Sequence, residues 1–241
     1  MTEHEWHAAT EPEPMLAFLR GRASARKLRL FACACCRRHA HLLVPETLAA
    51  LEVAERFADG SVPTPERKRA REEALHAGWC PDPATAHRRG PAKACVAAAL
   101  SRRAYDAAIR VDHLARHIGV MEKRDWDAND YEVTEHGPRL RPTAWSSGRS
   151  EQAARQARTL RELFGSLPFC PITLDQSWLT ATVKALAQHV YESRDFSAVP
   201  ILADAIQDAG CDNADILTHL RDANATHVPG CWALDLVLGK E

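Results

Sequence analysis

The chain has 241 residues, long enough for a substantial hydrophobic core, and aromatic residues make up only 6% of it, which favours packed helices over a sandwich or barrel. Its formal net charge of −1 excludes a polyanion binder that acts through overall charge, so any such role must be local. No apolar run approaches the ~18 residues of a membrane span, so no membrane partner is expected.

Apolar residues recur near every 3.6 positions almost throughout, and two-residue alternation is nearly absent. A helix opens near Pro12 or Pro14 and ends at Gly21. Ser24 can cap the next, whose apolar positions include Leu28, Phe31, Cys35, Leu42 and Leu43. Pro45 stops it and starts another that runs to Asp59-Gly60, and Thr64-Pro65-Glu66 begins a charged helix reaching about His76. Residues 78–91 carry Gly78, Pro81, Pro83, Gly90 and Pro91 and read as a break. An alanine-rich helical segment follows from Ala92 to His117.

From Gly119 to Gly148 the helical period is lost, and Pro138 and Pro142 suggest an irregular insert. Helix returns from Ser150 to Phe164, stops at Gly165, and gives way to an extended connector, Leu167 to Leu174. Three helices follow at 177–193, 197–209 and 213–222, with Gly210 as a helix-end residue and Asp212 paired with Asp215 as a cap. A tail helix from Cys231 to Leu238 ends at Gly239. The expectation is an all-α, irregular multi-helix bundle of about ten helices with a loop-rich central insert. Its parts are an N-terminal helical part over 1–118, an insert or linker over 119–149 and a C-terminal helical part over 150–241, sharing one core.

Five segments carry a resemblance: Pro14 to Gly21, Arg26 to Arg38, Glu52 to Gly60, Leu202 to Cys211 and Gly230 to Lys240. Together they resemble a multi-copy bacterial family of uncharacterised helical proteins. The similarity covers both ends and leaves out the middle. It implies a bacterial helical protein and brings no catalytic residue with it.

The start of the chain, Met-Thr-Glu-His-Glu-Trp, lacks the basic-then-apolar order of a signal peptide, so a cytoplasmic location is expected. In a reducing compartment the eight cysteines are thiols or metal ligands rather than a disulfide framework. Cys33 and Cys36 form a Cys-x-x-Cys pair with His39 three residues on, which could supply metal ligands. Mid-helix placement argues against thioredoxin-like redox chemistry, and the competing reading is a set of small buried side chains. A second set favours metal more: His227 and Cys231 lie across a Pro-Gly turn, and Cys211 or His219 could complete a four-ligand zinc site.

Other constellations are weaker. His113 and His117 have half-site spacing, but Leu114 stands where a zinc protease has its glutamate. Glu73 and His76 form a single Glu-x-x-His, where a di-iron bundle needs two. Asp204, Asp208, Asp212 and Asp215 form an acidic row that could hold Mg²⁺, although no phosphate-binding Gly-rich loop accompanies it.

Between Glu13 and Glu46 there is no acid, and Arg22, Arg26, Lys27, Arg29, Arg37 and Arg38 are candidates for polyanion binding. The competing reading pairs them internally with Glu52, Glu55 and Asp59. The sequence therefore supports a non-enzymatic interaction or regulatory module with another protein as its partner and structural zinc as the candidate cofactor. A metal-dependent hydrolase or nuclease, and a nucleic-acid-binding accessory protein, are the alternatives.

Overall fold

A computed structural model describes residues 1–77, 83–122, 131–135, 137–166, 168–170, 172–222 and 225–240. The first half holds α1 (Glu3–Ala8), α2 (Pro12–Leu19), α3 (Ala25–Arg37), α4 (Pro45–Ala58), α5 (Thr64–His76), α6 (Pro83–Ala99) and α7 (Ala104–Glu122). A hairpin of β1 (Tyr131–Thr134) and β2 (Gly137–Leu140) pairs antiparallel, with Tyr131 opposite Leu140. Then come α8 (Pro142–Phe164), α9 (Ala181–Ser193), α10 (Val199–Asp208), α11 (Ala214–Arg221) and α12 (Trp232–Leu238). The fold is all-α, and no helix among the described residues is long and apolar enough to cross a membrane.

Local chemistry explains most helix starts. The hydroxyls of Ser24 and Thr180 accept from the backbone N–H groups of Lys27 and Val183, which caps α3 and α9. Asn213, not Asp212, caps α11 by accepting from the Ile216 N–H. Proline in the first turn opens α2, α4, α5, α8 and α10.

The central part is more ordered than its composition suggests. Pro142 starts α8 eight residues ahead of the expected Ser150, because proline is tolerated in a first turn. Pro83 and Pro91, read as parts of a break, both lie within α6, where Ala92, Cys95, Val96 and Ala99 are buried against neighbouring helices. The single helix expected over 92–117 is divided by Ser101–Arg103 into α6 and α7. Positions 78–82, 123–130 and 136, within the expected break and insert, lie outside the described residues.

Two apolar clusters result. The first runs from Trp6 to Phe164 and includes Phe31, Leu51, Leu100, Ile118 and Leu160. The second is formed by α9–α12 around Val190, Leu202, Ile206, Ile216 and Leu234. Helix α3 is the axis of the first: every residue from Lys27 to Cys36 is buried, and α4, α6, α7 and α8 pack around it. A helix surrounded on all sides must bury whatever its sequence carries, including its cations.

Most of those cations have internal partners, as the competing reading of the basic run has it. Arg26 donates to Asp59 at 2.7 Å and to Asp235 at 2.6 Å, and also to the Tyr191 hydroxyl at 2.9 Å. Lys27 Nζ lies 2.6 Å from Asp235 and donates to the carbonyls of Gly230 and Leu163 at 2.7 and 3.0 Å. Arg29 donates to the carbonyls of Ala25 and Arg102, and its guanidinium covers the Phe57 ring. Arg37 makes a two-pronged pair with Glu55, Arg38 reaches Gln152, and Arg22 stacks over Phe18. Arg26, Arg29 and Arg37 are thus engaged by acids, carbonyls and a ring, whereas Arg22 and Arg38 remain exposed.

Asp235 is 1% exposed and pairs with both Arg26 and Lys27, so removing its charge leaves the buried Lys27 without a carboxylate partner and Arg26 with Asp59 alone. Asp235→Asn is expected to lower unfolding stability by ~3 kcal/mol, read as a fall in the denaturant midpoint at unchanged slope. A loss below ~0.5 kcal/mol would contradict this role.

Candidate metal centre

Four side chains with metal-ligating atoms meet where the two clusters join. Glu162 comes from the last turn of α8, which Gly165 ends with a positive φ of 52°. His219 comes from the last turn of α11, and His227 and Cys231 come from the segment that leads into α12. One ligand atom from each of the four lies within 4.8 Å of all the others, and no other such group occurs among the described residues.

Backbone geometry brings Cys231 to Glu162. Gly230 has φ +90°, and a Cβ there would stand 2.6 Å from Leu30 Cδ1 and 3.0 Å from Leu163 Cδ2. Only glycine allows the strand of chain before Cys231 to press this closely against α3 and α8. The Gly230 carbonyl then accepts from Lys27, as does that of Leu163. These two peptide groups adjoin Cys231 and Glu162, so one buried ammonium steadies the backbone beside two of the four donors.

The distances suit a single cation. His227 Nδ1 lies 2.8 Å from Glu162 Oε1, His219 Nε2 lies 3.5 Å from Glu162 Oε2, and His219 Nε2 lies 3.2 Å from Cys231 Sγ. Zinc bonds of ~2.0–2.3 Å arranged tetrahedrally place ligand atoms roughly 3.3–3.8 Å apart, so small side-chain adjustments suffice. Glu162 is 7% exposed and Cys231 1%, while the His219 ring packs on Trp232 with ring centres 4.9 Å apart.

Charge in this setting is balanced among the four. Burial pushes the Glu162 carboxyl up, but hydrogen bonds from His219 and His227 more than offset it and hold the group below its ordinary range. Burial pushes the Cys231 thiol well above its ordinary value, and the neighbouring Glu162 charge adds to this. A thiol raised in this way is a poor nucleophile at neutral pH. His219 is not set as the middle of a Cys-His-Glu relay, which needs opposite ring nitrogens on thiol and acid, because its Nε2 approaches both. Convergence of thiol, imidazole and carboxylate on one point is instead what a cation requires.

The other expected ligands are placed elsewhere. Cys211 is buried in the second cluster, just before α11, whereas His219 stands in that helix's last turn. Five residues of helical rise, roughly 7.5 Å, lie between Ala214 and His219 alone, and Cys211 is not among the converging donors. Glu162 takes the fourth place, and only the fold could reveal it because it lies 57 positions ahead of His219.

Cys33 and Cys36 are buried core thiols, both raised by burial. Helix α3 ends at Arg37, so His39 starts a 3-10 turn and leaves the helical spacing that would have aligned it with them. The remaining constellations do not converge among the described residues. Asp204 accepts from Arg221 at 2.6 Å, His76 contacts the Glu72 carbonyl, and His117 packs edge-on against Trp145.

No protein-family model matches the chain, and no curated protein or solved structure is significantly similar to it. The site therefore has to be judged by its own geometry.

Two outcomes follow from that geometry. Gly230→Ala should cost ~1–3 kcal/mol of stability through overpacking and backbone strain, measured by denaturant unfolding, and an unchanged midpoint would refute the close approach. For the metal-free chain, a Cys231 thiol raised on folding contributes stability that is intact below the unfolded thiol value of ~8.5 and lost as pH climbs past it. Melting temperature should therefore fall above about pH 9 by more in the native sequence than in Cys231→Ser.

Proposed function

We propose that this chain is a non-enzymatic helical interaction or regulatory module whose two cores are joined by a structural zinc ion bound at Glu162, His219, His227 and Cys231. The observation that carries this reading is the convergence of four donors from three chain segments, all within 4.8 Å of one another. Structural zinc sites use four protein ligands in a closed tetrahedron, whereas catalytic sites keep one position for water or substrate. A full set of four protein donors supports the first kind over a metal-dependent hydrolase.

Position strengthens the case. Glu162 belongs to the helix that packs into the first cluster, Cys231 belongs to the second, and His219 is carried by α11, which helps build the second. A cation at this junction cross-links segments far apart in sequence, so its binding free energy becomes folding free energy. The partner is proposed to be another protein, because the basic run that would face a nucleic acid is paired internally.

Elemental analysis of the protein purified without added metal should give about one zinc per chain, and less than ~0.2 would overturn the proposal. Cys231→Ser should lower the melting temperature by about 4–8 °C, for a loss of ~2 kcal/mol in a chain of this length. A chelator should bring the native protein close to that variant and leave the variant itself unchanged. An equal response of both proteins to the chelator would count against Cys231 as a ligand.

A further inference from the structure

A cleft of about 820 Å³ opens on the outer side of the metal centre, between α8 and α11. Glu162 and His219 line it, and Arg155, Arg158 and Arg161 extend the α8 wall away from them. Residues three and four apart on a helix share a face, so these side chains form one stripe that ends at a proposed zinc ligand. Asp215, Thr218 and Asp222 form the opposite, α11 wall.

The arginines of this stripe differ in what neutralises them. Arg155 pairs with Glu151 at 2.6 Å. Arg161 is half-buried and directs only Nη1 to protein acceptors, the main-chain oxygens of Ala9 at 2.8 Å and Trp6 at 3.4 Å. These carbonyls fix the guanidinium in place without supplying charge. Arg158 is exposed, and neither it nor Arg161 has a carboxylate partner among the described residues. Burial, and to a lesser extent the nearby Arg158 charge, lower the proton affinity of Arg161, and both guanidiniums line the same cleft. Adjacent guanidiniums without an acid are unfavourable alone and favourable around an oxyanion, which both can grip through paired N–H groups.

We infer that this cleft is a binding site for a small organic oxyanion, a phosphate monoester or carboxylate, held between the anchored Arg161 and the exposed Arg158. Its volume falls in the range of small-molecule sites, which are too confined for a folded partner. The site adds a ligand to the regulatory reading above and does not depend on zinc. Zinc on Glu162 and Cys231 would nonetheless cancel the Glu162 charge on the cleft wall, so the anion should bind more tightly to the metal-loaded protein.

Calorimetric titration of the full chain tests this, with inorganic phosphate, succinate and chloride as probes at fixed low ionic strength. The zinc-loaded and chelator-treated proteins are titrated separately. Saturable one-site binding of phosphate or of succinate is expected, and whichever saturates identifies the ligand class. Arg158→Ala should weaken it about tenfold, equivalent to ~1.4 kcal/mol, and Arg158→Lys should recover part of the loss. Because Arg158 is exposed, an unchanged melting temperature will show that the variants fold. Equal, non-saturating responses to all three anions, or unaltered binding in Arg158→Glu, would overturn the inference. Binding that persists in a protein found to hold no zinc would keep the oxyanion site while removing the metal proposal.

Discussion

The buried carboxylate of Asp235, clamped between Arg26 and Lys27, is the constraint on which the rest of the structure depends. Burying three charges together is costly unless each is fully engaged. Here Asp235 accepts from both cations, Arg26 also reaches Asp59 and Tyr191, and Lys27 uses its remaining donors on two main-chain carbonyls. The network joins α3 and α4 of the first cluster to α9 and α12 of the second. It also defines the relative position of the two clusters by direction as well as by contact, which apolar packing alone does not.

The candidate metal site shares its backbone supports with this network. Lys27 binds the carbonyls immediately beside Glu162 and Cys231, and Gly230 permits the close approach that makes this reach feasible. Two sets of groups of different chemistry, an ion network and a cluster of candidate metal donors, thus cross the same junction a few residues apart. Their proximity implies that a change at one will be felt at the other, so their contributions to stability should not add independently. The cleft is the open side of the same junction, lined by residues of α8 and α11 around the point at which Glu162 and His219 meet.

The three cysteines of α3 illustrate how burial decides chemistry. Cys33, Cys35 and Cys36 look reactive in sequence because they are clustered and flanked by arginines. In the fold they are small apolar spacers that let α3 lie close to α4, α6 and α7, and burial raises each thiol. The flanking arginines do not activate them, since Arg37 is taken up by Glu55 and Arg38 reaches towards α8. Cys231 is also raised by burial, but it alone of the described cysteines has two imidazoles and a carboxylate beside it to share a cation.

Helical periodicity, capping residues and prolines at helix starts determined the all-α class and most helix limits, because these signals act within one or two turns. Ser24, Pro45, Thr64, Gly210 and Gly239 mark ends that local backbone chemistry enforces wherever the chain goes. Three of the four donors, His219, His227 and Cys231, were legible for the same reason, lying within thirteen residues around one turn. Tertiary structure alone decided the rest. Glu162 joins the site because α8 is laid against α12, Cys211 precedes α11 while His219 lies in its last turn, and Arg26 is paired with an acid 209 positions away. A sequence records which groups can pair, but burial sets the penalty for leaving them unpaired, and burial is a property of the packed chain.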